Sequence, residues 1–219
     1  MNLAADSLPS WMAWGLMAVF VLVIGRAAWR SPWCALRANG LVTVFIAAMA
    51  LAGLLWSMQV GVREGLTLHL LGTASLVLVF GPALAMMAGA GALLLTMAAG
   101  QTDALMAGYQ GLLLAVLPVW VADGSHRLLR RLLPPNPFIF FLGSGFVGGM
   151  LALAAPILVS AALMAILGLQ PGWAIQRDYL ALLPLVMFPE GFINGAVMTA
   201  LAVYQPDWVR SFDDETYLR

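Results

Sequence analysis

Residues 66–99, LTLHLLGTASLVLVFGPALAMMAGAGALLLTMAA, decide how often the chain crosses a membrane. The block is apolar almost throughout, but Gly81-Pro82 interrupts it, and a proline removes one hydrogen bond from a helix interior. A membrane helix needs about 20 mostly apolar residues, so the piece before the break is short for a complete crossing. The block therefore predicts either one long interrupted span or a hairpin of two spans.

The composition around this block is that of an integral membrane protein. Of the 219 residues, 63% are hydrophobic and 9% are charged, and the mean hydropathy is +0.95. Soluble domains are typically about 45–50% apolar and about 25% charged. Ten arginines balance ten acidic residues, so no charge excess indicates a nucleic-acid partner. The single cysteine, Cys34, excludes an intramolecular disulfide framework and a thiolate metal cluster.

The apolar runs predict an all-α, polytopic transmembrane bundle that forms one integral membrane domain over residues 1–219. Seven spans are expected, at about 11–29, 41–58, 66–80, 82–99, 104–121, 138–168 and 179–204. Small residues, as in GSGFVGGM at 143–150, allow helix backbones to approach closely in lipid. We expect a multi-pass protein whose surroundings are the lipid bilayer, with no soluble domain.

Arginine placement separates the two interpretations of the 66–99 block. Loops at the cytoplasmic ends of membrane spans collect Lys and Arg. The first predicted loop carries Arg26, Arg30 and Arg37, and the loop after the fifth span carries HRLLRR at 126–131. Two spans for 66–99 place both loops in the cytoplasm, whereas one span places them on opposite sides. The sequence therefore predicts seven spans, with the N-terminus outside and the C-terminus cytoplasmic.

One carboxylate interrupts the last apolar run, in FPEGFING at 188–195. An ionisable side chain inside the membrane costs about 2.5–3.5 kcal/mol on insertion scales, and it is usually paired or lines a pathway. On a helix, Asn194 and Met198 lie four and eight residues from Glu190, close to one face. That face should point into the bundle. Glu190 is then either a structural anchor bonded to a neighbouring helix or a residue that contacts a cargo.

The two histidines differ in their surroundings. His69 begins the third predicted span, and neutral imidazole is a good ligand for nickel, cobalt, copper and zinc. A lone histidine is nevertheless more often an interface residue than a ligand. His126 lies among arginines, and we expect it to be solvated. The chain has no GxSxG, GK[ST] phosphate loop or HExxH motif, so we expect no enzyme activity, and ATP hydrolysis would need separate subunits.

Two stretches carry a resemblance to a known family. The first, 66–95, has a histidine, a small-residue helix, Gly-Pro and an alanine-rich span in that order. The second is PEGFINGAVMTALAVYQPDWV at 189–209. Together they resemble the CbiM/NikM-type substrate-binding membrane subunits of energy-coupling factor (ECF) ABC transporters. The resemblance implies an inner-membrane protein that takes up Ni²⁺ or Co²⁺ as cargo, has no permanently bound cofactor, and works with a membrane coupling subunit and ATPase subunits.

The same resemblance implies a metal site. The family holds its metal through the N-terminal amine, a histidine at position 2 and a later histidine at the start of a membrane helix, which fall here on Met1, Asn2 and His69. The amide of Asn2 is a poorer ligand than imidazole. We expect an outward-facing pocket at these three residues, with Glu190 and Asn194 organising the core below. The alternative is a stand-alone membrane protein of the same fold, without metal transport, in which His69 and Glu190 are structural.

Overall fold

The computed structural model describes residues 8–63, 66–212 and 217. Within this part, the chain forms eight helices and one two-stranded antiparallel hairpin. The elements are α1 (Ser10–Arg30), α2 (Trp33–Ala38), α3 (Val42–Ser57), β1 (Val60–Arg63), β2 (Leu66–Leu68), α4 (Thr73–Phe80), α5 (Pro82–Ala98), α6 (Ala104–Leu132), α7 (Ile139–Ile166) and α8 (Gly172–Tyr204). A short 3-10 turn, Pro206–Trp208, follows α8.

The long helices have the length and composition of membrane spans. Four of them, α1, α6, α7 and α8, are apolar and long enough to cross a bilayer, and α3 and α5 are apolar helices of 16 and 17 residues. Exposed tryptophans mark both ends of α1: Trp11 and Trp14 at its start and Trp29 at its end. Trp11 and Trp29 are about 27 Å apart along the helix axis. This distance is close to the thickness of the hydrocarbon core, at whose edges tryptophan is enriched.

The 66–99 block folds as two helices that meet at Gly81. Gly81 has φ +85, a conformation that residues with a Cβ rarely adopt, and Pro82 begins α5, where its missing N–H removes no helix hydrogen bond. The first half differs from the predicted span 66–80. Leu66–Leu68 is a β-strand, and α4 is helical only from Thr73, for about 12 Å. Gly72 has φ +67 and ends the non-helical segment.

The hairpin is the departure from a purely helical fold among the described residues. Strand β1 pairs with β2, with an irregularity between Gly61 and Arg63. Another difference concerns the HRLLRR stretch, which was expected in a loop. It forms the last turns of α6, which continues as a helix to Leu132. The arginine-rich stretch is amphipathic, so the helix can continue past the apolar span while its charged face stays exposed.

The two ends of the bundle differ chemically. At one end, the arginine end, the last turns of α1 lie beside the start of α5 and the arginines of α6. The C-terminal segment packs there too, since the N–H of Arg210 donates to the carbonyl of Val79, 3.2 Å away. At the other end, the hairpin end, Gln101 Nε2 donates to the carbonyl oxygen of Ser57 at 3.4 Å, so the end of α3 meets the end of α5.

Glycines bring α7 close to α8, as GSGFVGGM suggested. A Cβ on Gly145 would lie 3.1 Å from the Cα of Gly195, and one on Gly149 would lie 3.1 Å from the Cβ of Asn194. Either would be a tight contact that the neighbouring helix must yield to. The small residues of α7 therefore let the polar face of α8 lie deep inside the bundle.

Candidate functional site

The candidate site is built on four residues, 69–72, which connect β2 to α4 and are not helical. We call them the His69 loop. The carbonyl oxygen of Leu71 accepts a hydrogen bond of 3.2 Å from Trp56 Nε1, which is itself buried at the end of α3. Buried non-helical backbone next to a membrane span needs hydrogen-bond partners from the protein, because lipid supplies none. The backbone N–H and C=O groups of this loop must therefore be bonded by other parts of the protein.

The carboxylate of Glu190 provides the acceptors. Its Oε2 accepts from the N–H of Leu71 and its Oε1 from the N–H of Gly72, each at 2.8 Å. The side chain is 1% exposed, so both bonds are shielded from solvent. Hydrogen bonds between a carboxylate and backbone N–H groups are among the stronger ones in proteins. Glu190 thereby joins α8 to the His69 loop.

Asn194 continues this contact one helical turn further. Its Nδ2 donates to Glu190 Oε1 and to the carbonyl oxygen of Glu190, and its Oδ1 accepts from the N–H and the Oγ of Ser75, all at 2.8 Å. The N-cap residue of α4 is Gly72, which has no side chain to cap the helix. Asn194 therefore takes the role of a cap from a different helix. We call Glu190 and Asn194 together the α8 anchor.

His69 lies at the other side of the loop, 6% exposed, with its ring 6.1 Å from that of Trp56. Burial lowers the pKa of His69 to about 3, so the ring is neutral, as a metal ligand requires. Its Nδ1 lies 3.4 Å from the carbonyl oxygen of Leu70. In the tautomer in which Nδ1–H donates to that oxygen, Nε2 keeps a free lone pair.

A cavity of about 470 Å³ adjoins the ring of His69. Its other lining residues are Leu55, Met58, Leu68, Leu70, Leu182, Leu185 and Val186. None of them is charged, and the described part of the chain contains no group of three or more His, Cys, Asp or Glu side chains that could hold a metal. Met1 and Asn2, the other two predicted metal ligands, lie outside the described residues. Of the predicted ligand set, the structure therefore places His69 alone.

The second histidine is not solvated, contrary to the expectation from its arginine-rich surroundings. His126 is 7% exposed, and its Nδ1 lies 2.9 Å from the Oγ of Ser144 on α7. Its ring meets Phe140 edge to face, at 5.9 Å. Because α6 continues as a helix, His126 falls on the face that turns into the bundle, while Arg127 and Arg130 turn outward. His126 belongs to the arginine end, far from the His69 loop.

Sequence reasoning missed the partners of the α8 anchor. No sequence motif marks these partners, which are the N–H groups of Leu71 and Gly72 and the side chain of Ser75. Glu190 also lies 119 residues from Leu71 along the chain. One local signal was present. The glycine before the apolar run of α4 marks a helix start that lacks its own side-chain cap.

The fold and this loop define a multi-pass helical membrane protein with a buried, neutral histidine at one end of the bundle. Residues 2–208 match the CbiM family, described as the cobalt uptake substrate-specific transmembrane region. The chain therefore belongs to that family, as the resemblance of 66–95 and 189–209 suggested. As such it is a non-enzymatic transmembrane component for the uptake of cobalt or a related transition metal. The family implies a metal substrate and a transporter complex.

Solved structures share the fold. A crystal structure of a transition metal transporter superposes with a TM-score of 0.76 at 23% identity, over 93% of this chain and 93% of the other. A crystal structure of a truncated transition metal transporter gives the same score and identity, over 93% of this chain and 99% of the other. No curated protein matches the chain.

Proposed function

We propose that the chain captures Co²⁺ or Ni²⁺ at the hairpin end of the bundle, as the substrate-binding subunit of an ECF transporter in the inner membrane. The observation that carries this proposal is the buried, neutral His69, held in a loop that α8 fixes through Glu190. A membrane coupling subunit and cytoplasmic ATPase subunits supply the energy for transport. The chain itself supplies the selective site.

The metal is held by the imidazole of His69, the N-terminal amine of Met1 and a donor from Asn2. The chain has two histidines, and His126 lies at the opposite end, bonded to Ser144. Among the described residues, the lining around His69 offers no second imidazole or carboxylate. We therefore assign the remaining ligands to the N-terminal segment, as the family resemblance implies. With an amide in place of an imidazole at position 2, the site binds more weakly than one with two histidines.

The orientation follows from the two ends. We place the arginine end in the cytoplasm and the hairpin end outside, with seven crossings. Six are made by α1, α3, α5, α6, α7 and α8, and the third in chain order is made by α4 together with the buried non-helical backbone before it. The contacts at each end support this order, because the end of α1 adjoins the start of α5 and the end of α6. The arginines concentrated there match the bias of cytoplasmic loops.

The α8 anchor positions the metal ligand. Glu190 and Asn194 do not reach His69 themselves; they bind Leu71, Gly72 and Ser75. They fix the backbone two residues beyond the imidazole. In this proposal the carboxylate is a structural anchor and not a metal ligand.

Calorimetry tests the metal site. Full-length protein with a native, untagged N-terminus is titrated with Ni²⁺, Co²⁺, Cu²⁺ and Zn²⁺, for the wild type, His69→Ala and His126→Ala. We expect stoichiometric binding of Co²⁺ or Ni²⁺ by the wild type and by His126→Ala, which controls for the loss of any imidazole. His69→Ala should lose the binding. If His69→Ala binds as well as the wild type, or if none of the four metals binds, the proposal fails.

A further inference from the structure

A second cavity, of about 400 Å³, lies at the arginine end and has no part in the metal site. It is lined by α1, the start of α5 and the later turns of α6. Its charged lining residues are Arg26, Arg30, Asp123 and Arg127. Three arginines therefore face one aspartate, which leaves two positive charges in excess.

The excess charge belongs to α1. On α6, Arg127 Nη2 binds Asp123 Oδ2 at 2.8 Å, so these two groups neutralise each other. Arg26 and Arg30 have no hydrogen-bond or ion-pair partner in the described part of the chain. They lie one turn apart on the same helix, and like charges at this spacing destabilise a helix. An anion between the two guanidinium groups would convert this repulsion into two attractive contacts.

The position of the cavity indicates which anion. Trp29, next to Arg30, and Trp120, on the cavity wall, are both exposed, and tryptophan is enriched at the depth of lipid headgroups. Beside the charged residues and Trp120, the lining is apolar and consists of Val23, Ala27, Pro82, Ala83 and Met86. A free phosphate would make no favourable contact with these apolar side chains. A phospholipid would place its phosphate among the arginines and its glycerol and acyl groups against the apolar side chains.

We propose that this cavity binds the headgroup of an anionic phospholipid, with Arg26 and Arg30 as the principal contacts to the phosphate. Asp123 sets the strength of the site by occupying Arg127. The bound lipid fills the space between α1 and the α5–α6 pair on the arginine side of the membrane. The inference does not depend on metal binding, because no residue is shared between the two cavities.

Native mass spectrometry of the full-length protein in a neutral detergent tests this site. Phosphatidylglycerol is titrated against the wild type, Arg26→Gln/Arg30→Gln and Arg131→Gln, with phosphatidylcholine as the zwitterionic reference. A basic residue near an anionic lipid contributes about fivefold in affinity, so the double variant should bind phosphatidylglycerol roughly 25-fold more weakly. Arg131 lies at the same end but does not line the cavity, so Arg131→Gln should bind like the wild type.

Asp123→Asn supplies a change of opposite sign, which keeps the test valid if the double variant does not fold. Removing the carboxylate frees Arg127, so phosphatidylglycerol should bind about fivefold more tightly. Any one of three results would overturn the proposal. They are wild-type affinity for phosphatidylglycerol in the double variant, an equal loss of affinity in the double variant and in Arg131→Gln, and weaker binding by Asp123→Asn. Displacement of phosphatidylglycerol by millimolar inorganic phosphate would indicate a small-anion site and would refute the lipid assignment.

Discussion

At the scale of single residues, the cost of a carboxylate in the membrane is offset by a specific use. Glu190 satisfies two backbone N–H groups that lipid could not satisfy, and Asn194 satisfies a third in α4. The sequence predicted that both side chains share a face that turns into the bundle, because they are four residues apart. It did not predict their partners, because the contact joins segments 119 residues apart and depends on the packing of α8 against α4.

Glu190→Gln tests whether the anchor needs a carboxylate. A carboxylate accepts from both Leu71 and Gly72, whereas the amide of glutamine must point its NH₂ group at one of these donors. A buried donor without a partner costs about 1–3 kcal/mol, so the variant should unfold at a lower temperature and bind metal more weakly. Thermal unfolding in detergent and calorimetry measure the two effects.

The control is Asp207→Asn, the same chemical change at an exposed carboxylate. It should change the free energy of unfolding by no more than about 0.5 kcal/mol. If Glu190→Gln keeps the wild-type stability and metal affinity, a charged anchor is not required, and the role that we assign to Glu190 is wrong.

At the scale of secondary structure, the Gly81-Pro82 break could be predicted because both residues have strong local backbone preferences. The start of α4 could not be predicted from the sequence. Hydropathy gives an apolar strand and an apolar helix the same weight, so 66–80 read as one span although Leu66–Leu68 pairs with β1. The boundary is set by Gly72 and by the α8 anchor, and the contribution of the anchor becomes visible only in three dimensions.

Gly72→Ala tests that boundary. Gly72 has φ +67, and a Cβ there would meet Leu55 Cδ1 at an ordinary 3.5 Å, so the cost is conformational and not steric. We expect the free energy of unfolding to fall by about 1–2 kcal/mol and the metal affinity to fall with it, because the strained residue belongs to the His69 loop.

Gly124→Ala is the matched substitution in a regular helix. Gly124 lies in α6, and a Cβ added there would point into open space, so alanine should stabilise the protein by up to about 1 kcal/mol. Thermal unfolding of the two variants side by side should give shifts of opposite sign. A stabilising Gly72→Ala would mean that the left-handed turn does not set the start of α4.

At the scale of the whole molecule, the arginine distribution and the Gly81 break predict seven crossings with the N-terminus outside, and this topology stays a prediction. Composition could predict the four long and two shorter apolar helices, because the membrane constrains every span in the same way. It could not predict that His126 would be buried, because that depends on how far α6 continues and which face of it meets α7.

The native chain also offers a direct test of its orientation. Cys34 is its single cysteine, is exposed, and lies in α2 between the first two long helices.

Cys34 should react with a membrane-impermeant maleimide in inside-out vesicles and stay unlabelled in intact spheroplasts, because the proposed seven-span topology would place α2 in the cytoplasm. Gln101→Cys in a Cys34→Ala background supplies the reverse case, since residue 101 lies at the hairpin end beside Ser57. It should be labelled in spheroplasts and protected in inside-out vesicles. Labelling of both positions from the same side would rule out an odd number of crossings between them. Labelling of each position from the side opposite to that expected would mean that the bundle has the inverted orientation. His69 would then face the cytoplasm, where it could not receive a metal from outside.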